Sequence, residues 1–137
     1  DCRGRSVLDS GYRHEVRHEI SVASPNHPIA HGLPDTFELT DELYLCEVFE
    51  DAIDPLLRSD HDFVRENFYS AHHAVTGNLY CNDNWYPDEG SAILGWTRQH
   101  KNSRIVYLQP GDNTATFGNA HYRQLLANAI RWAAHRQ

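Results

Sequence analysis

The stretch Y-R-H-E-V-R-H-E-I, residues 12–20, contains H-E-x-x-H, formed by His14, Glu15 and His18. On a helix, two histidines four apart share one face and can bind a tetrahedral zinc ion, with the glutamate as general base. On a strand the same residues cannot meet, so the fold class turns on the local period. From Val16 the residues alternate: Val16, His18, Ile20 and Val22 on one side, Arg17, Glu19 and Ser21 on the other. That is the period of two of a strand, and the β-branched residues on the apolar side suit a pleated surface. Gly11 precedes the run, and Ser24, Pro25 and Asn26 close it. At about 3.3 Å per residue the two histidines then stand roughly 13 Å apart. The stretch therefore predicts a strand over 15–22 and no zinc protease.

Beyond this strand, H-P-I-A-H-G-L-P (27–34) reads as a stiff loop, because proline fixes φ and removes a donor. L-Y-L-C-E-V-F (43–49) predicts a second strand and D-P-L-L-R (54–58) a short third one. Residues 61–92, rich in His, Asn, Asp and aromatics, show no period, and N-D-N-W-Y-P-D-E-G (82–90) is loop by composition. I-L-G-W (93–96) and R-I-V-Y-L (104–108) predict two more strands. The second carries four consecutive apolar residues, as a strand covered on both faces would. After the loop 110–118, Asn119 can cap a helix. Its apolar stripe is Tyr122, Leu125, Leu126, Ala129, Ile130 and Ala133, at helical spacing. Strand, loop and helix in that order make an α/β unit, in which Ile105, Val106, Leu108, Leu126, Ile130 and Trp132 are the expected core.

At 137 residues the chain is one domain by size, long enough for a real core. Twelve Lys and Arg against 19 Asp and Glu give a formal charge of −7. An acidic chain without a basic stripe is a poor match for a phosphate backbone. No apolar run reaches the ~20 residues of a membrane span, and no signal peptide opens the sequence. Cys2, Cys46 and Cys81 are far apart and form no C-x-x-C pair. They read as isolated thiols of a reducing, cytoplasmic compartment. No metal and no cofactor are expected. The abrupt start and the lack of any Met read as part of a longer protein.

Ligands of open α/β sheets bind beyond the carboxyl ends of the strands. The turn Pro110-Gly111-Asp112-Asn113 follows such an end. Gly111 would let a ligand approach the backbone, and Asp112 is either a site carboxylate or a turn residue satisfying local amides. Asp41 and Glu42 sit just before the strand 43–49; adjacent residues of a strand face opposite ways, so at most one enters a site while the other faces solvent or caps a turn. His27, held among prolines, is either a structural hydrogen-bonder or a site residue. His72 and His73 are neighbours that point apart, and Trp85, Tyr86 and Trp96 read as core before they read as a sugar-stacking platform.

Five stretches in order, H-P-I-A-H-G-L-P (27–34), F-E-L-T-D-E-L-Y (37–44), 91–96, R-I-V-Y-L-Q-P-G-D (104–112) and Y-R-Q-L-L-A-N-A-I-R-W-A (122–133), resemble the trehalose-utilisation, ThuA-like family. The resemblance spans about residues 20–134. It implies an α/β, flavodoxin-like, class I glutamine-amidotransferase-like three-layer sandwich. Its first strands would be missing, leaving residues 1–137 as the C-terminal part of one ThuA-like domain. It also implies a role in disaccharide and keto-sugar catabolism. Carried over by motif, Glu42, Asp112 and His27 are the expected catalytic residues, and Asp41, Tyr44 and Gly111 the expected substrate-binding ones. The expected partner is a small-molecule carbohydrate, with a homo-oligomer allowed and no nucleic acid or membrane. The rival expectation is a non-catalytic sugar-binding or interaction module.

Overall fold

A computed structural model describes residues 9–135. The H-E-x-x-H stretch lies in a twelve-residue strand, β1 (Gly11–Val22), so the helix that zinc-protease chemistry requires is absent there. β1 is the spine of a six-stranded sheet. β2 (Thr36–Leu45) pairs along its length, from Ser21 opposite Thr36 to Gly11 opposite Leu45. β3 (Asp54–Ser59) pairs with the end of β1, and the two-residue β4 (Tyr69–Ser70) with its beginning. β5 (Ile93–His100) and β6 (Ser103–Leu108) complete the order β2-β1-β3-β5-β6. The helices are α1 (Ala71–Val75), α2 (Thr114–Gly118) and α3 (Ala120–Ala133).

The chain is thus mixed α/β, but every strand pairing among the described residues is antiparallel. The parallel sheet of a flavodoxin-like sandwich is not seen in them. The cause is local: β5 and β6 are joined by a tight turn at Lys101, whose φ is +52°, whereas parallel neighbours need a crossover of a dozen or more residues. β2 also begins earlier and ends earlier than its sequence pattern suggests. Phe37, Leu39, Asp41, Leu43 and Leu45 alternate inward, and the aspartate in this series disguises the period. Past Leu45 the chain leaves the sheet, and Phe49 is exposed.

Ile20, Phe37, Leu39, Leu43, Leu56, Leu57, Phe68, Trp85 and Leu94 form the core, with Tyr122, Leu125 and Ala129 of α3 laid over it. Gly11 is required by that packing, because a Cβ there would stand 2.6 Å from the Trp85 ring. Asn119 caps α3 by accepting the amides of His121 and Tyr122. Asn128 on the inner face of α3 donates to the carbonyls of Ile29 and His31, which ties the helix to the proline-rich loop. The expected core of the last third is corrected in part. Ile130 is 62% and Ile105 38% exposed, while Val106, Leu108, Leu126 and Trp132 are only partly buried. The buried line is Tyr122, Leu125 and Ala129, and Ile130 lies beside it on an open groove with Ile105 and Leu126. α3 covers β6 on that side only in part, and Arg104 reaches across to the Trp132 carbonyl.

No helix of the described residues is long and apolar enough to cross a membrane. Cys46 and Cys81 are free thiols, and burial pushes the Cys46 thiol up from its ordinary pKa. Cys2 lies outside the described residues.

Candidate functional site

The register of β1 on β2 slips once. Arg13 stands opposite Leu43 and Val16 opposite Asp41, so His14 and Glu15 together face Glu42. This is a β-bulge, and Glu15 carries the turn of the backbone with φ +53°. A non-glycine residue in that region is strained by about 1–3 kcal/mol. Bulges re-aim side chains and recur beside active sites. Here the bulge brings His14 Nδ1 to 3.3 Å from Glu42 Oε1. The His14 ring is half-exposed and rests on Tyr12, with centroids 5.0 Å apart. The Glu42 side chain is 9% exposed. Its second oxygen accepts the Tyr44 hydroxyl, two residues along the same face of β2, as the period of two requires.

Asp41 points the other way and is fully buried. Its Oδ1 accepts the amides of Glu42 at 2.8 Å and Asp112 at 3.2 Å, and its Oδ2 accepts that of Gly111 at 2.7 Å. The amide of Tyr44 donates to the Gln109 side chain, which donates back to the Tyr44 carbonyl. β2 and β6 are the two edges of the sheet, so these contacts curl it and bring its edges together. Gly111, at φ +139°, has Tyr122 Oη only 3.0 Å from where a Cβ would stand, and that hydroxyl donates to the Pro110 carbonyl at 2.6 Å. The turn is therefore held from both sides, and it delivers Asp112 to Glu42. One donor atom each of His14, Glu42 and Asp112 lie within 4.8 Å of one another.

The charge around Tyr44 is negative. Burial first, then its bond to Glu42 and the fields of Glu42, Asp112 and Asp41, hold its phenol far above the ordinary range. Tyr44 is a hydrogen-bond donor at any physiological pH. The cluster thus offers a nearly buried carboxylate, an exposed carboxylate, an exposed imidazole and a fixed hydroxyl. Such a set can orient hydroxyl groups and move protons, and imidazole with carboxylates is also a donor set for metal ions.

The sequence profile of the trehalose-utilisation family, ThuA, matches residues 7–133. The chain belongs to the ThuA family. No curated protein matches it. Among solved structures it is similar to a ThuA-like protein from Parabacteroides merdae, with a TM-score of 0.58 and 19% identity over 93% of this chain and 42% of that one. At that identity the likeness speaks for the fold. The ThuA-family chain spans less than half the length of that relative. Membership ties it to carbohydrate metabolism in the broad sense of the family's description, trehalose utilisation.

Within this candidate site the geometry sorts the expected residues. Glu42 and Asp112 come together and Tyr44 joins them, but His27 does not. Its Nδ1 accepts the Ile29 amide at 3.2 Å, capping the one-turn helix Pro28–Ala30, and its ring lies 5.1 Å from that of Trp132. Burial lowers its pKa. Tyr122 and Trp132 are ten residues apart along α3, about 15 Å, so His27 packs at the far end of the helix from the turn at Gly111. Asp41 and Gly111 lie behind the cluster, Asp41 fully buried and Gly111 in the turn that it holds. Both oxygens of Asp41 and the amide of Gly111 are spent on each other. They build the turn. Trp85 is core, and His72 and His73 sit on α1. The sequence does not reveal His14 as a partner of Glu42, since the alternation is legible only from Val16 onward and nothing before it announces the bulge.

Proposed function

We propose that this chain is a carbohydrate-processing domain acting on a sugar, disaccharide or keto-sugar derivative, with Glu42 as proton donor and acceptor and Asp112 as the carboxylate that orients hydroxyls. The observation that carries the reading is the Glu42 carboxylate. It is nearly buried yet reached by the exposed His14 imidazole, and is fixed by Tyr44. A carboxylate held this way presents one oxygen to a substrate while the other is occupied by the phenol. Asp112 faces it from the turn after β6, and carboxylates accept hydrogen bonds from sugar hydroxyls. A carbohydrate is the proposed small-molecule partner, and free Cys46 and Cys81 thiols fit a reducing, cytoplasmic setting. The family reading alone carries the further proposal that a longer ThuA-like domain forms a flavodoxin-like three-layer sandwich.

Incubation with trehalose and with its keto derivative, followed by mass spectrometry and NMR, tests the reading. Turnover that is lost in Glu42→Gln supports it. Binding without turnover favours the sugar-binding module, and neither binding nor turnover removes the carbohydrate reading.

A further inference from the structure

We infer that His14, Glu42 and Asp112 are ligands of one divalent transition-metal ion. The three residues come from three separate segments: the β1 bulge, the end of β2 and the turn after β6. Their donor atoms nevertheless lie within 4.8 Å of one another. The separation of His14 Nδ1 and Glu42 Oε1, 3.3 Å, is long for a charge-assisted N–H···O bond, which runs about 2.7–2.9 Å. It falls in the range of about 3.0–3.4 Å that separates two ligands bound at about 2.1 Å to a common ion. The Asp112 carboxylate makes no hydrogen bond or ion pair among the described residues. It is exposed, and so free to close the remaining distance.

Charge balance points the same way. Glu42 is almost wholly withdrawn from water beside a second carboxylate, and no Arg or Lys among the described residues pairs with either. A buried carboxylate is costly without a compensating charge, and among the described residues the half-exposed imidazole of His14 is the one basic side chain beside it. An ion bound by all three would supply that charge. The surroundings hold the ligands in position: Tyr44 fixes the free oxygen of Glu42, and the Tyr12 ring supports His14. Such outer contacts orient ligands and tune affinity. One imidazole with two carboxylates suits zinc or manganese. Three protein ligands on a face open to solvent leave further positions for paired oxygens of a polyhydroxylated molecule.

The inference rests on the reading of this cluster as the functional site and adds what occupies it; with the ion bound, Glu42 serves as its ligand and not as the proton carrier. Its test reads metal alone, without sugar, so the two can fail separately. The full chain, stripped with a chelator, is titrated with Zn²⁺ and with Mn²⁺ in a calorimeter. One saturable site per chain is expected for at least one of them. Glu42→Gln and Asp112→Asn should each weaken it at least about tenfold, since changing even a residue that only hydrogen-bonds a ligand costs about 10–100-fold. His72→Ala, which removes an exposed imidazole outside the cluster, should leave it unchanged. Melting curves in chelator show that the variants are folded, and Asp112→Asn, at an exposed side chain, keeps the test valid should Glu42→Gln unfold. No saturable site, equal affinity in a folded Asp112→Asn, or loss only in His72→Ala would overturn the assignment.

Discussion

The Asp41 carboxylate accepts the Gly111 amide at 2.7 Å, joining the end of one edge strand to the turn that follows the other. Since it also accepts the amides of Glu42 and Asp112, the two acidic side chains of the candidate site are set by one buried residue that touches neither. Asp41→Ala should therefore destabilise the chain by at least about 1–3 kcal/mol, the cost of leaving buried donors unmet. It should also lose the site's activity. Urea titration checks the first part. A midpoint shift equivalent to only a few tenths of a kcal/mol would mean that water replaces the carboxylate at no cost.

Glu42→Gln and Asp112→Asn remove charge and keep shape. If the proposed proton transfer is right, Glu42→Gln should lower turnover of a sugar substrate by about 10²–10⁴, the usual worth of a positioned acid or base. The melting temperature of Asp112→Asn should stay within a degree or two, as for an exposed substitution. Full activity in both variants would remove the acid–base role and leave the cluster a structural one.

What the sequence makes legible follows from local rules. β1, β3, β5, β6 and α3 are announced by period and by the cap at Asn119, and residues that share an element are sorted by it. The bulge at His14 is not announced, because one extra residue in a strand leaves the composition unchanged and alters only the pairing. Asp41 and Glu42 are both acidic in sequence and opposite in role. Period two says that they part, but only the partner turn decides which one is spent on amides. His27 belongs to a recognisable motif, yet its imidazole is used as a cap, which is all that the proline-stiffened loop needs.

The two faces of α3 differ sharply. Leu125 is 1% exposed and packs in the core, whereas Ile130 is 62% exposed. Leu125→Ala should cost roughly 2–5 kcal/mol, and Ile130→Ala no more than about 0.5 kcal/mol, as surface substitutions do. Denaturant midpoints at unchanged slope measure both. A large loss at Ile130 would show that the groove it lines with Leu126 is covered in solution.

A buried histidine gives the chain a dependence on mild acid. His18 is 4% exposed, its Nδ1 lies 2.8 Å from Ser59 Oγ, and its Nε2 has no partner among the described residues. Burial lowers its pKa below the ordinary 6.5, His61 adds to that, and the carboxylates of Asp60 and Asp41 oppose it. His61 is lowered too, by burial and then by Arg13, against Asp62 and Asp60. Between the folded and unfolded pKa values the unfolded chain binds more protons, so folding stability rises with pH there. It is intact above about pH 6.5, where both states are neutral, and is lost as the pH falls from 6.5 towards the folded value. The slope from His18 is at most about 1.4 kcal/mol per pH unit. Unfolding free energies measured from about pH 7.5 to 5.5, above most carboxylate titrations, should therefore decline, and decline less in His18→Gln. Equal slopes in the two proteins would show that His18 is as easily protonated in the folded chain as in the unfolded one, and that its burial against Ser59 does not hold it neutral.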